Sequence, residues 1–232
     1  AKELEITREE QDRWATRSHE RVLAAVDSGK LAEEIVAISV QQRKGDPIIV
    51  ELDESPRRDT SFERLSKLGP VFNSDGTITA GNAPGVNDGA AALLLMSEER
   101  AIKEGRKAEA IIIAHEAIAV EAKDFPKTPG LVINALLKKS GKSLNDIDLF
   151  EINEAFAAVA LASGKIASLD PEKVNVNGGA VALGHPIGAS GARIIITLMH
   201  ELKRRGGGIG IAAICSGGGQ GDAIMIEVPK QD

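Results

Sequence analysis

From about residue 108 the sequence alternates strand-like and helix-like stretches at regular spacing, and this constrains the fold more than any other feature. Residues 109–119 (EAIIIAHEAIA) suit a buried strand. Thr128 and Pro129 open a helix that Gly141 closes. Residues 147–152 (IDLFEI) read as a strand, 155–168 as a helix and 174–177 (VNVN) as a short strand. A glycine-rich loop then leads into a helix over about 189–205, and strands at 209–215 and 222–228 end the chain. Alternation of this kind predicts a mainly parallel sheet with helices on its faces, in the order βαβαβαββ. The last two strands are joined too tightly for a crossover, so they should be antiparallel.

The first hundred residues are less regular. Thr7 with Glu10 forms a capping box, Gly29 is a stop, and Trp14, Val22, Ala25 and Val26 fall on one stripe between them. Strands are expected at 35–40 and 48–52 with Gly45, Asp46 and Pro47 in the turn, and a short helix near 61–68. The run AGNAPGVNDGAA at 80–91 is loop-like; 91–97 reads as a buried strand and 98–105 as a short helix.

Composition excludes some functions. With 34 acidic and 28 basic residues the chain is mildly negative, which argues against non-specific nucleic-acid binding. One cysteine, Cys215, allows no intrachain disulfide and fits a reducing, cytoplasmic setting. No apolar stretch approaches the ~20 residues of a membrane span. A first residue of Ala followed by a charged run suggests a truncated or cleaved chain.

In open α/β sheets, ligands bind beyond the carboxyl ends of strands. Three unusual passages fall there: Asn153 to Phe156 (NEAF), Gly178 to Gly188 (GGAVALGHPIG) and Cys215 to Gly221 (CSGGGQG). Each has an ordinary reading. Asn153 could cap the following helix, the commonest task of Asn at such a place. His185 could be a loop histidine like His19, His115 or His200, although glycines on either side let backbone approach a ligand there. Cys215 could be a small core residue, although it ends a strand beside a glycine run whose N–H groups could face a thiolate. The glycines at 206–208 precede a strand and open no helix, so they do not form a dinucleotide fingerprint. One cysteine and scattered histidines cannot supply zinc-ligand spacing.

Together the three passages resemble the thiolase family. NEAF at 153–156, GGAVALGHPIGASGAR at 178–193 and CSGGGQG at 215–221 match its motifs in order and spacing, and AGNAPGVNDGAA extends the likeness upstream. The resemblance implies a layered αβαβα thiolase-like fold of two similar halves with a CoA-covering loop domain inserted in the first. On that plan residues 1–86 are the remainder of the loop domain, 87–107 the last piece of the N-terminal domain and 108–232 the C-terminal domain. The unit from 108 should then be the more stable part and 1–107 the less stable.

The resemblance also implies a chemistry: Claisen condensation of two acetyl-CoA to acetoacetyl-CoA, and the reverse thiolysis. The family's nucleophilic cysteine lies upstream, and the half that would bear it is absent here. His185 would take that nucleophile's proton, and Cys215 would be the acid/base toward the acetyl methyl group. Asn153, through a water, and His185 would hold the enolate oxygen, and the Gly217 N–H would help form a second oxyanion hole. Ala155 and Phe156 would line the pantetheine channel with Ala80 nearby, and Arg57 is a candidate for the CoA nucleotide end or a solvated surface charge. Pro84 stands where the family often has Ser against the pantetheine, which removes one expected contact. No metal and no tightly bound cofactor are implied. The expected partners are CoA thioesters, the missing half and, at full length, further copies in a homodimer or homotetramer. The alternatives are a degradative 3-ketoacyl-CoA thiolase and a non-catalytic CoA- or lipid-binding module; the intact His185–Cys215 pair favours an enzyme.

Overall fold

The first long element forms where the capping box sits. Helix α1 (Arg8–Asp27) starts with Thr7 accepting from Glu10 N, while the Glu10 carboxylate accepts from Thr7 N, so two end donors are satisfied reciprocally. It ends at Ser28, and Gly29 takes the left-handed φ of 79° that favours glycine. Its buried stripe includes Trp14, Ala15, Val22 and Ala25, with Val26 partly covered.

The computed structural model describes residues 1–230. After α1 come strands β1 (Ile38–Val40) and β2 (Ile48–Val50), then helices α2 (Phe62–Leu65) and α3 (Glu98–Lys103). Strand β3 (Ile111–Ala119), helix α4 (Thr128–Ser140), strand β4 (Leu149–Ile152) and helix α5 (Ala157–Ala167) follow. Helices α6 (Ala180–Leu183) and α7 (Ser190–Arg204) precede strands β5 (Gly208–Ser216) and β6 (Gln220–Val228).

The main sheet has the order β3-β6-β5-β4. Strands β4 and β5 pair in parallel, while β6 pairs antiparallel with both β5 and β3. The expected antiparallel closing pair is present. The expected mainly parallel sheet is mixed instead: three strands share a direction, but β6 inserts between two of them. Helices α4 and α5 cover one face through Ile133, Leu136, Phe150, Ile211 and Met225, and α7 covers the other through Ile194, Leu198 and Leu202. Burial on both faces explains why β4 and β5 read as continuous apolar runs rather than alternating ones. Strand β3 is not the buried strand expected over 109–119: it is an edge strand with no described strand on its outer side, and Ile111, Ile112 and Ile113 are open to solvent.

Two further sequence expectations need correction. Residues 174–177 are not a strand. Val174 makes a single parallel bridge to Phe150, and Asn175 then turns left-handed at φ 47°. The Asn175 side chain replaces the missing strand: its Oδ1 accepts from Ile152 N at 2.7 Å and its Nδ2 donates to Ile152 O at 2.9 Å. Residues 91–97 are not a buried strand either; Leu94 and Leu95 are exposed, and no described strand lies alongside to pair with that segment. The contacts of residues 1–107 are uneven. Helix α1 packs on α5 and α6, and Arg17 and Arg21 donate to the carbonyls of Pro171 and Val174. The exposed stretches of the first hundred residues include the β1–β2 hairpin, with Ile38, Ile48 and Ile49 open to solvent, the segment with Leu68, Val71 and Phe72, and the stretch near Val86 and Leu94–Met96.

Candidate active site

Strand β4 ends at Ile152, and Asn153 N still donates to Ala213 O on neighbouring β5 at 2.9 Å. Asn153 therefore sits at the carboxyl edge of the parallel pair, beside Ile214 and one position before Cys215, the penultimate residue of the next strand. The cap reading of Asn153 fails. Helix α5 begins only at Ala157, its flanking residue is the extended Phe156, and the Asn153 side chain turns elsewhere. Its Nδ2 lies 3.3 Å from His185 Nε2. Asn153 is fully buried, and its Oδ1 has no partner in the protein. A buried, unpartnered amide oxygen beside an imidazole suits a bound water or a ligand donor.

His185 is held from the other side by the first residue of α7. Its Nδ1 lies 2.6 Å from Ser190 Oγ, and Ser190 Oγ donates to Pro186 O at 3.0 Å. All these groups are paired when the ring carries its proton on Nδ1. Nδ1–H then donates to Ser190, and the Nε2 lone pair faces Asn153 and accepts. Burial, and then the charge of Arg193, lowers the pKa of His185, so the neutral ring is favoured.

The loop carrying His185 is clamped by the stretch that looked merely loop-like in the sequence. His185 N donates to Gly85 O at 3.2 Å, and Gly184 takes a φ of 99° against Asn87. A side chain at Gly184 would collide with the Asn87 amide, so the backbone there can be only glycine. The neighbouring Asn82 is fully buried. It donates through Nδ2 to Asp12 and Thr77 O, and its own carbonyl accepts from Ala157 N at the start of α5.

Cys215 is buried, and burial pushes its thiol up to about 11. Gly217 lies in the exposed turn after β5 with open space around its Cα. Ala155 and Phe156 are half-buried, and the Phe156 ring meets Phe72 edge-on at 6.3 Å and Phe125 at 6.5 Å, forming an aromatic wall. Arg57 and Ala80 are exposed. Arg57 spends its backbone N–H on His19 Nδ1, while its neighbour Arg58 pairs with Asp27. The structure thus joins Asn153 and His185 directly and brings Cys215 to the same sheet edge, whereas Arg57 and Ala80 hydrogen-bond to none of the three.

Two groups of residues went unnoticed in the sequence. Glu154 is buried and accepts four hydrogen bonds: Trp14 Nε1 at 2.8 Å, Ser18 Oγ at 2.8 Å, Asn175 Nδ2 at 2.9 Å and Val181 N at 3.0 Å. One carboxylate so ties α1, the Asn175 turn and the start of α6 to the residue beside Asn153. The second group is buried Glu151 with the half-buried Arg193, paired at 3.1 Å. Their signal in the sequence was charge within an otherwise apolar strand and at a helix start.

No group of side chains able to hold a metal ion occurs among the described residues. Nor is any described helix long and apolar enough to cross a membrane.

Comparison with known proteins decides the family. Residues 1–99 match the family model described as thiolase, N-terminal domain, and residues 106–228 match thiolase, C-terminal domain. The chain belongs to the thiolase family. It is 49% identical over 224 residues to an acetyl-CoA acetyltransferase of Chromobacterium violaceum, covering 97% of this chain and 57% of that relative. A Bacillus anthracis acetyl-CoA acetyltransferase crystal structure superposes with a TM-score of 0.95 at 50% identity, covering 98% of this chain and 58% of that one. A human mitochondrial 3-ketoacyl-CoA thiolase superposes with a TM-score of 0.89 at 41% identity, over 97% of this chain and 56% of that one. The fold is thus the thiolase-like α/β fold, and the chain spans a little over half the length of these relatives.

Proposed function

We propose that the whole protein represented by this chain is an acetyl-CoA C-acetyltransferase that condenses two acetyl-CoA and cleaves acetoacetyl-CoA with CoA. The Asn153–His185–Ser190 chain supports this reading, because it presents an unprotonated Nε2 at the sheet edge where Cys215 is the penultimate residue of its strand. Relatives that carry the acetyltransferase name support the short acyl chain.

Each residue has a step. His185 Nε2 takes the proton of a nucleophilic cysteine, which we place in the part of the relatives that this chain does not span. That cysteine attacks the thioester carbonyl, and the departing CoA sulfur takes the Cys215 proton. The Cys215 thiolate so formed removes a methyl proton from the second acetyl-CoA. The resulting enolate oxygen is held by His185 and by a water on Asn153, and its carbon attacks the acyl-cysteine. The released cysteine sulfur recovers the proton from His185, so protons balance over the cycle. Gly217 N–H, together with the nucleophile's own N–H, stabilises the tetrahedral oxyanion. A thiol held near 11 suits this order, since it is present as an acid first and becomes a base only within turnover. Phe156 and Ala155 border the pantetheine, with Ala80 close by, and Arg57 reaches the nucleotide end. The proposed division is 1–86 loop domain, 87–107 N-terminal domain and 108–232 C-terminal domain.

The test uses the full-length protein. His185→Ala should lower both acylation and condensation by ~10²–10⁴. Cys215→Ala should still form the acyl-enzyme but fail to exchange the acetyl methyl protons with deuterated water. Near-normal turnover in the first variant, or normal exchange in the second, would overturn the assignment. Faster cleavage of long 3-ketoacyl-CoA than of acetoacetyl-CoA would move the protein to the degradative class.

A further inference from the structure

We propose that the Glu151–Arg193 pair is a positioning device that ties together the elements carrying the two hydrogen-bond partners of His185. This rests on the reading of His185 as the working imidazole and extends it to residues that touch no substrate.

The argument is geometric. His185 is gripped between Asn153, just past β4, and Ser190, the first residue of α7. Apolar packing of Leu149 against Ile194 and Leu198 brings helix and strand together, and the Glu151–Arg193 bond adds a directional tie beside the ring. Glu151 lies two residues before Asn153, on the same side of the strand. Arg193 lies three residues after Ser190, on the same face of the helix. The Arg193 Nη1 to Glu151 Oε1 bond of 3.1 Å thus joins the elements that carry the two partners of the ring.

A pair in this place needs a positional reason. The Glu151 side chain is 3% exposed and that of Arg193 19%. Buried ion pairs contribute little net stability, and apolar residues of similar volume often do as well or better. Here the charges are also incompletely paired: Arg193 Nη2 and Glu34 Oε2 are buried without partners. Glu34 and Asp53 approach Arg193 from the segment after α1, and Glu154 adds a second negative charge on the β4 side. Burial pushes Glu151 up to about 8, while Arg193 pulls it down; Glu151 can accept the hydrogen bond from Arg193 whether or not it carries a proton. Arg193 has a second reach, since its charge is the one that helps keep His185 neutral. The pair therefore helps to place the imidazole, and its Arg193 adds to the lowering of the ring's pKa that burial begins.

The experiment reads the ring directly. Long-range ¹H–¹⁵N spectra of this chain, with the His185 signals assigned by His185→Ala, report tautomer and titration. In the parent, His185 should show one Nδ1–H tautomer. Arg193→Met should mix the tautomers and raise the pKa, because the neighbouring positive charge is gone. Glu151→Leu with Arg193→Met removes both charges and keeps the volume, so it guards against a variant that fails to fold. It should unfold cooperatively, yet still lose the single tautomer. Arg193→Lys, which keeps the charge and one bond, should restore most of it. In the full-length protein the double variant should lose about 10²-fold in kcat with KM nearly unchanged, the size of effect a small misplacement causes. A folded double variant whose His185 keeps its tautomer and titration would overturn the proposal, whatever its activity. Loss of the tautomer without loss of activity would support the positioning role and instead refute the catalytic reading of His185.

Discussion

Removing the Glu154 carboxylate tests how the first helix is attached to the rest of the chain. In Glu154→Ala four donors lose their acceptor: Trp14 Nε1–H, Ser18 Oγ–H, Asn175 Nδ2–H and Val181 N–H. Ser18 has an alternative acceptor, Gly179 O at 3.4 Å, so three donors are stranded. At about 1–3 kcal/mol for each unpaired buried donor, the loss is about 3–9 kcal/mol, with water entry favouring the lower half. That is a large part of the ~5–15 kcal/mol of a typical domain. Glu154→Gln separates charge from geometry. Its amide oxygen still serves Trp14 and Asn175, and Ser18 can rotate to accept from the new NH₂. Only Val181 N–H is left facing a donor, for about 1–3 kcal/mol. Trp14 is the single tryptophan, it is buried, and it donates to the carboxylate itself, so its fluorescence reports the tie. In urea, Glu154→Ala should unfold about 1 M or more below the parent and show red-shifted emission before the main transition; Glu154→Gln should fall between them. If Glu154→Ala keeps both the parent's midpoint and its emission maximum, the carboxylate is not what holds α1, and the accounting is wrong.

Other expectations are equally direct. With Cys215 near 11 against an ordinary 9.0, its thiolate fraction at pH 8 is about 100-fold lower than in unfolded chain, so alkylation by iodoacetamide should be slower by at least that factor; equal rates would show the thiol to be accessible and ordinary. In the full-length protein, the pH profile of acylation should stay level from neutrality to below 6.5 and fall only beneath the lowered His185 value, since the protonated ring cannot accept; a limb centred above 7 would contradict the neutral tautomer. Limited proteolysis should cut within 36–54 and 85–107 and spare α1, because the hairpin and the stretch near Leu94 are exposed while Ala15 and Val22 are fully buried; early cleavage inside 8–27 would show that the helix is loosely held.

The fold was legible where a local signal and a tertiary requirement coincide. Thr7 and Glu10 cap α1 as their spacing demands, Gly141 ends α4 in the left-handed conformation, and the tight turn between β5 and β6 forces antiparallel pairing. It was illegible where a residue substitutes for its own secondary structure. VNVN has the composition of a strand, but after one backbone bond from Asn175 N to Phe150 O the Asn175 side chain takes both polar groups of Ile152 and the backbone turns away. Periodicity cannot see that exchange, because it registers only which residues are apolar. The run 91–97 failed for the opposite reason: its residues suit a strand, yet a strand exists only if another lies beside it.

The site followed the same division. The three passages drew attention because glycines and polar residues interrupt apolar strands, and two of them meet directly through Asn153 and His185. What could not be read is which side chains hold them there. In the sequence Ser190 is one letter inside GGAVALGHPIGASGAR, and Glu154 the polar second letter of NEAF. Both are anchors whose partners lie far away in the chain, Trp14 being 140 residues from Glu154. A single sequence carries no pairing information at that range, whereas burial does. A carboxylate 1% exposed must have its donors somewhere, and finding two of the four on α1 shows how the chain before residue 108 is tied to the residue beside Asn153.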